Sequence, residues 1–469
     1  MRLPLYEALL QHAEKSKGIF YVPGHKKGKV GFQQHEPLAA IASLDATELT
    51  GLDDLHEPEG VIKEAQTLLA QWSKAQHSYF LVGGSTAGNL VMLLAAFQPG
   101  DVVFVQRNCH KSVLNGLELA RLRPVFLAPD IHTQGQFATG ISLSVVKKAL
   151  RHYPDAKGIM LTNPNYYGIS RDLKELITIM HEHNMVVLVD EAHGAHFGGD
   201  TRLPTNAIAM GADLVVQSAH KTLPALTMGA FLHSNSERID EDQVKHYLQM
   251  IQSSSPSYPI MASLDVARNY VQHLSQKEYD GILADISSFR EHLSQIATIT
   301  VLQAEGNDEL DPLKVTIQSV TGVSGFELQE RLEAQGIYTE LADSLNVLFI
   351  LPLGKIENKE RLLAIITNTL EQASRGDGEL KRTCHTEIPE ISPLSQPYES
   401  LRTMKKKKVL IADAVGCVAA EALIPYPPGI PLIAKGEVIT KQQLHQFEAL
   451  KRAGARFHGG QNRVITIYE

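Results

Sequence analysis

The sequence predicts an α/β fold in which helices flank a mostly parallel, seven-stranded sheet, with smaller α+β domains toward the C terminus. From His77 onward, short β-rich runs alternate with amphipathic helical patterns, which is the order expected of a parallel sheet covered by helices. The β-rich runs are continuously apolar, as strands buried on both faces are. With 469 residues, 43% of them hydrophobic, the chain can bury a large core.

Six strands of the sheet are predicted individually, at 79–82, 102–106, 125–128, 158–162, 186–190 and 214–217. Helical patterns lie between them, and the pattern at 172–184 places its apolar side chains on one face. Further along the chain, two strand-like runs at 313–317 and 347–351 indicate a smaller α+β unit.

These patterns divide the chain into five predicted parts. They are an N-terminal segment (1–65), a large α/β domain (66–261), a small α+β domain (262–372), a linker (373–401) and a C-terminal module (402–469). The linker is predicted because the segment is polar and contains several glycines and prolines. A helix at 441–452 lies within the C-terminal module.

Composition excludes several classes of protein. A net charge of −8 argues against a protein that binds nucleic acid or anionic membrane surfaces. The longest apolar run, 90–97, is too short to span a bilayer, and Glu7 and Glu14 interrupt any signal peptide. The three cysteines form no C-x-x-C pair, so neither a disulfide framework nor a zinc site is predicted. The sequence therefore predicts a cytoplasmic globular protein without a metal.

A glycine-rich turn follows the first predicted strand, where Gly83, Gly84, Ser85 and Thr86 precede an apolar helix. Glycines permit a tight turn, and the free N–H groups of a helix N-terminus together with two hydroxyls can bind a phosphate. An ordinary strand–helix turn with an N-cap accounts for the segment equally well. The Gly-Lys-Ser/Thr sequence of a P-loop is missing.

An acidic residue, Asp190, stands at the end of a fully apolar strand and begins the sequence Asp-Glu-Ala-His. A DEAH box of a helicase or ATPase would need an upstream Walker A lysine, which this chain lacks. Metal binding by His193 and His196 would need the glutamate of an H-E-x-x-H frame, which is also missing. Asp190 is therefore predicted to be a buried acid whose charge partner comes from a ligand.

Lys221 and His110 each follow another predicted strand. Lys221 has Ser218 and His220 beside it, and a desolvated lysine is a stronger nucleophile, as a Schiff-base lysine must be. A solvated helix start is the alternative for this lysine. His110 could lie face-on against a flat cofactor ring or simply begin a helix.

These groups occur in a set order on successive strands: phosphate cradle, stacking histidine, carboxylate and lysine. The order matches a site for pyridoxal 5′-phosphate (PLP), in which a lysine forms a Schiff base and an aspartate pairs with the pyridinium nitrogen. Lys221 and Asp190 are the residues predicted for these two roles.

A family resemblance is carried by several stretches of the chain, at 23–26, 45–55, 84–86, 108–112, 162–164, 190–196, 218–222, 255–258 and 420–429. In these stretches the chain resembles the PLP-dependent ornithine/lysine/arginine decarboxylases of fold type I, in their short bacterial form. The likeness runs almost from end to end, and the Ser-x-His-Lys-Thr and Pro-Tyr-Pro-Pro-Gly elements are its more specific parts. The resemblance implies fold type I (aspartate-aminotransferase-like) for the large domain. It also implies a homodimer in which two chains complete each site.

The resemblance also implies roles for individual residues. His110 would stack on the cofactor ring, Asp190 would keep the ring nitrogen protonated, and Lys221 or His220 would return a proton to Cα. The implied cofactor-binding residues are Gly84, Ser85, Thr86, His110, Asp190, His193, Ser218, His220 and Lys221, with Ser254 and Ser255 reaching the neighbouring subunit's cofactor.

The activity implied by the resemblance is decarboxylation of arginine, lysine or ornithine to the corresponding amine and CO2. A basic side chain needs an acid in the pocket, and Asp53, Asp54 and Glu421 lie in matching stretches, although each could equally form a surface ion pair. An aminotransferase or lyase of the same fold is the enzymatic alternative. A PLP-bound regulator without turnover is a further alternative, against which the presence of both Lys221 and Asp190 argues.

Overall fold

A computed structural model describes residues 2–372, 389–425, 430–452, 455–460 and 463–469. The described α-helices are α1 (Pro4–Lys15), α2 (Glu36–Ser43), α3 (Val61–Ser73), α4 (Gly84–Ala96), α5 (Lys111–Leu119), α6 (Leu143–His152), α7 (Lys174–Glu182), α8 (Ala207–Met210), α9 (Ala219–Thr222), α10 (Glu241–Ile251), α11 (Tyr258–His273), α12 (Gln276–Ser294), α13 (Gly325–Glu333), α14 (Lys359–Glu371), α15 (Tyr398–Thr403) and α16 (Lys441–Arg452).

The described strands are β1 (His77–Leu81), β2 (Val102–Gln106), β3 (Arg123–Leu127), β4 (Gly158–Thr162), β5 (Ile169–Ser170), β6 (Val186–Asp190), β7 (Leu214–Gln217), β8 (Ala230–Ser234), β9 (Ile299–Val301), β10 (Glu309–Leu310), β11 (Lys314–Ser319), β12 (Leu341–Ala342), β13 (Asn346–Ile350), β14 (Ile391–Pro393), β15 (Lys406–Leu410), β16 (Val418–Ala419), β17 (Ile424–Pro425), β18 (Phe457–His458) and β19 (Val464–Tyr468).

The chain divides into two compact units, each built from two separate stretches. Unit 1 comprises Met1–Ala96 and Leu173–Gln276, and unit 2 comprises Phe97–Asp172 and Lys277–Glu469. This division does not follow the five parts predicted from the sequence, whose boundaries stay predictions. Within the described ranges, no helix combines the length and apolar composition needed to cross a bilayer.

In unit 1, four strands pair in the order β1-β8-β7-β6. β6 and β7 are parallel, with Asp190 opposite Val216. β8 runs antiparallel to both β7 and β1, and its Phe231 lies opposite Gln217 on one side and Phe80 on the other. Because β8 reverses direction, β1, β7 and β6 all point the same way, and their carboxyl ends meet at one edge of the sheet.

In unit 2, four strands pair in the order β4-β2-β3-β14, with β2 parallel to both β3 and β4. A separate antiparallel sheet has the order β12-β13-β11-β9, and β15-β19-β16 form a small sheet near the C terminus. The C-terminal stretch has a hydrophobic core of its own, which includes Leu423, Ile433, Phe447 and Ile465.

The strands predicted at 102–106, 158–162, 186–190 and 214–217 agree with the structure residue for residue, and the other two are displaced by one or two positions. β14 adds an antiparallel strand at the edge of β3. It has three residues, too few for a periodic pattern. Part of the predicted linker, 373–388, lies outside the described residues, and the remainder contains β14 and most of α15.

Candidate active site

Asp190 ends β6 with only 3% of its surface exposed. Its Oδ2 accepts a hydrogen bond from Asn89 Nδ2 at 2.8 Å, and its Oδ1 accepts one from the backbone N–H of Ala192 at 3.1 Å. Both donors are neutral, so they orient the carboxylate without cancelling its charge. A protonated ring nitrogen is a suitable partner for a buried carboxylate of this kind.

Asn89 reaches Asp190 because α4 packs very closely on the sheet. A Cβ atom at Gly88 would collide with side-chain atoms of Val216 and Leu81, so the absence of a side chain at Gly88 permits this close approach to the sheet. Asn89 is not among the residues predicted from the sequence. Its signal in the sequence is a polar residue directly after that glycine and directly before the apolar run at 90–97.

A pair of buried hydroxyls joins the start of α4 to the end of β7. Ser85 Oγ and Ser218 Oγ lie 2.5 Å apart. Gly84, with φ +69°, makes the turn into α4 and donates its N–H to Met228 O at 2.8 Å. Thr86 lies exposed in the first turn of the same helix. Two converging hydroxyls at the N-terminus of a 13-residue helix form a donor set that fits a phosphate.

Lys221 and His193 lie next to each other. Lys221 Nζ is 3.1 Å from His193 Nε2. His193 is buried and Lys221 is half-buried. The family resemblance implies that His193 binds the cofactor, which stays a prediction, and the structure places its imidazole against the lysine amine. His193 is therefore able to exchange a proton with that amine.

His220 is oriented by the main chain. Its Nδ1 lies 2.9 Å from Gly229 O, which places a proton on Nδ1. Burial lowers the pKa of the His220 imidazole, the hydrogen bond to Gly229 opposes this effect, and the charge of Lys221 adds to it. The neutral ring therefore presents Nε2 as a proton acceptor, which suits proton transfer. The predicted contact of His220 with the cofactor stays a prediction.

His110, in unit 2, stands at the N-terminus of α5, which agrees with the interpretation that it begins a helix. Its Nδ1 accepts the backbone N–H of Ser112 at 3.2 Å and lies 2.8 Å from the Ser112 hydroxyl. This capping fixes the orientation of the imidazole. The stacking role of His110 stays a prediction.

The Asp53 carboxylate is used within the chain. It accepts backbone N–H groups at the start of α3 and beside it, from Asp54, Glu59, Gly60, Ile62 and Lys63, at 2.8 to 3.2 Å. Burial acts to raise the pKa of Asp53, but these hydrogen bonds outweigh it and the pKa is lowered. Asp53 is thus a helix cap, and an interpretation as a substrate-binding acid is not needed to explain it.

The other predicted substrate acids also accept main-chain hydrogen bonds. Asp54 Oδ1 accepts the N–H of His56 at 2.8 Å, and Glu421 Oε1 accepts that of Thr466 at 2.6 Å. Their contact with substrate stays a prediction.

Ser254 and Ser255 are exposed before α11, and their contact with a second subunit also stays a prediction. Residues 426–429, the Pro-Tyr-Pro-Pro-Gly element after its first proline, lie outside the described residues.

The residues gathered in unit 1 fit PLP. They provide a half-buried amine beside an imidazole, a buried carboxylate, and two hydroxyls at a helix N-terminus. These are the donor types that this cofactor needs for its aldehyde, its ring nitrogen and its phosphate.

Two regions of the chain match the Orn/Lys/Arg decarboxylase family. Residues 3–309 match its major domain, and residues 379–468 match its C-terminal domain. The chain is 47% identical to the protein YaaO of Bacillus subtilis (strain 168), over 96% of this chain and 94% of that protein. It is 33% identical to the arginine decarboxylase of the same organism, over 99% of this chain and 96% of that protein.

Solved structures share the fold. The lysine decarboxylase LdcF of Francisella novicida superposes with a TM-score of 0.84 at 21% identity, over 99% of this chain and 80% of that one. A serine palmitoyltransferase solved with PLP superposes with a TM-score of 0.53 at 16% identity, over 66% of this chain and 75% of that one. The predicted fold class and the predicted cofactor are confirmed. The chain belongs to the Orn/Lys/Arg decarboxylase family and is a PLP-dependent amino acid decarboxylase.

Proposed function

We propose that the protein converts arginine to agmatine and CO2. Support comes from the order of its relatives. Those named arginine decarboxylase, from Bacillus subtilis, Bacillus anthracis and Halalkalibacterium halodurans, are 30–33% identical over 99% of this chain. Those named lysine decarboxylase are 22–24% identical. Lysine and ornithine are therefore the second choices among basic substrates.

The observation that carries the chemistry is the contact of 3.1 Å between Lys221 Nζ and His193 Nε2. Lys221 would bind the cofactor through its amine, Asp190 would hold a proton on the ring nitrogen, and Ser85 and Ser218 would bind the phosphate. When bound, PLP supplies an electron sink for the electron pair that stays on Cα as the carboxylate leaves.

His193 controls the proton on the lysine amine in this proposal. A neutral imidazole takes a proton from Lys221 Nζ and leaves a nucleophilic amine. The same pair can later deliver a proton to Cα, so Lys221 is the acid that we assign to that atom. His220, which presents Nε2 as an acceptor, is the second candidate for moving this proton.

We also propose a homodimer. The N-terminal segment exposes a group of large apolar side chains, among them Phe20 at 99% and Val22 at 62% relative exposure, and also Val30, Leu38 and Ile41. A surface of this kind is typical of a subunit interface. Sedimentation of the holoenzyme should give the mass of a dimer, and replacing both Phe20 and Val30 with Lys should give monomers. The cytoplasmic location stays a prediction of the sequence.

The activity is tested by mass spectrometry of the products formed from arginine, lysine and ornithine by PLP-loaded protein. Agmatine from arginine, in excess over cadaverine and putrescine, would support the proposal. A preference for one of the other amines would change the substrate, and keto acids would point to transamination. The Lys221→Ala variant is the control and should form no amine.

A further inference from the structure

The residue after Asp190 is a second carboxylate, Glu191, which is fully buried. Its Oε2 accepts a hydrogen bond from Gln217 Nε2 at 2.6 Å, and its Oε1 accepts the backbone N–H of Ala207 at 2.8 Å. Burial raises the pKa of Glu191 to about 8, and these two hydrogen bonds oppose that rise. The Glu191 carboxyl group is thus costly to bury and is held by specific donors.

The hydrogen bonds continue from Gln217 across the sheet. Gln217 Oε1 accepts from His233 Nε2 at 3.0 Å, and His233 Nδ1 lies 2.7 Å from Ser78 Oγ. Burial lowers the pKa of His233 to about 3, so the ring is neutral. Its proton is on Nε2, because Nε2 faces the Gln217 oxygen, which can only accept. Each group therefore donates in one direction, from Ser78 through His233 and Gln217 to Glu191. We call this chain of hydrogen bonds, formed by Ser78, His233, Gln217 and Glu191, the relay. It connects β1, β8 and β7 with the end of β6.

The relay ends between two residues assigned to the cofactor. Glu191 directly follows Asp190, and Gln217 directly precedes Ser218. We propose that Glu191 is a positioning residue that fixes the carboxyl ends of β6 and β7 relative to each other. It thereby keeps the partner of the ring nitrogen and the partner of the phosphate at the separation that the cofactor requires. This inference rests on the proposed roles of Asp190 and Ser218.

The opposite ends of the same two strands provide a matched control. Asp213, also buried, precedes β7, and its Oδ2 accepts the backbone N–H of Val187 at 2.7 Å and His181 Nε2 at 2.9 Å. Asp213 therefore joins the amino ends of β6 and β7 as Glu191 joins their carboxyl ends. A loss of general sheet stability should follow a change at either carboxylate, whereas an effect on the cofactor should follow only a change at Glu191.

The test uses Glu191→Gln, because the new amide must turn its NH2 toward one of two N–H donors. The double variant that adds Gln217→Glu restores complementarity, since the introduced amide can then donate to the introduced carboxylate, which still accepts from His233. We measure thermal unfolding of each variant, the PLP dissociation constant of the apoprotein, and the pH titration of the visible absorption band of bound PLP.

We expect Glu191→Gln to weaken PLP binding about tenfold and to shift the titration of the absorption band, and the double variant to restore both. Asp213→Ala should lower the unfolding temperature and leave PLP binding within about twofold of the parent. Parental PLP binding and titration in folded Glu191→Gln would overturn the proposal. An equal loss of PLP binding in Asp213→Ala would also overturn it. If Glu191→Gln does not fold, Glu191→Asp, which keeps the carboxyl group but shortens the side chain, takes its place under the same criteria.

The Asp190→Asn variant separates this inference from the assignment on which it rests. If Asp190→Asn changes the titration of the absorption band and Glu191→Gln does not, the positioning role alone is wrong. If neither variant changes it, the assignment of Asp190 to the ring nitrogen is wrong, and the positioning role is wrong with it.

Discussion

Arg107 Nη2 donates a hydrogen bond to Glu437 Oε2 at 2.7 Å, which connects the loop after β2 to the C-terminal module within unit 2. The same guanidinium donates to Pro431 O at 2.9 Å and lies 5.5 Å from the centre of the Phe126 ring. Both charged side chains are nearly buried, at 7% and 13% exposure. The loop that leads to His110 is therefore anchored by a segment close to the end of the chain.

Replacing Arg107 with Met should lower the free energy of unfolding by about 3–5 kcal/mol, because it leaves the buried Glu437 carboxylate without its cation. Chemical denaturation gives this value. Arg121 and Glu399 form the control pair, since they are 3.7 Å apart at 47% and 77% exposure. Arg121→Met should cost less than about 1 kcal/mol. Similar costs for the two variants would show that burial of the Arg107 pair has no special effect.

Replacing Asp190 with Asn should slow turnover by about 10²–10³-fold, because a neutral amide no longer keeps the proton on the cofactor ring nitrogen. The fold should survive, since the Asn89 amide can rotate to complement the new side chain. Steady-state rates and thermal unfolding of the two proteins check both statements. A variant with parental turnover would remove Asp190 from the mechanism.

Replacing His193 with Asn should slow the reaction of PLP with the apoprotein by about 10²-fold near neutral pH, because Lys221 loses its proton acceptor. The rate should recover as the pH rises, since hydroxide then removes the proton from the amine. Absorbance of the bound cofactor, followed over time at several pH values, measures this rate. His181→Asn is the control, because His181 lies in α7 and contacts Asp213 rather than Lys221, and this variant should behave as the parent does. A pH-independent deficit in the His193 variant would point to a packing role.

Replacing Asp53 with Ala should lower the free energy of unfolding by about 0.5–2 kcal/mol at neutral pH, as loss of a helix cap does. Because the pKa of Asp53 is lower in the folded chain, its stabilisation is present above the unfolded value of about 4 and is lost as the pH falls through the folded value. The difference between parent and variant should therefore shrink in acid. Denaturation of both proteins at pH 7 and pH 3 measures this difference. If the Asp53→Ala variant instead changes the preference among arginine, lysine and ornithine, Asp53 is a substrate residue.

Features that depend on local pattern could be predicted from the sequence, and features that depend on distant partners could not. Asp190 ends an apolar strand, and Ser218 and Lys221 follow one, so the strand pattern alone places them at one edge of the sheet. Asn89 contacts a residue 101 positions away, a distance over which no periodic pattern gives information.

Asp53 shows a different limit of sequence patterns. Its partners are backbone N–H groups, which every residue except proline supplies, so no side-chain pattern distinguishes a cap of this kind from a binding residue. The contact of His193 with Lys221 likewise depends on how the loop after β6 lies against α9, although the sequence predicts both residues at the site.

The anchoring of Arg107 by a late segment has a consequence for the newly made protein. Pro431 is 324 positions beyond Arg107. At about 5–20 residues per second, a ribosome needs about 16–65 s to synthesise that interval. During this time the guanidinium has none of its C-terminal partners, and the loop leading to His110 is held by less than its final set of contacts. The nascent chain therefore completes this part of the molecule only after Pro431 has been synthesised.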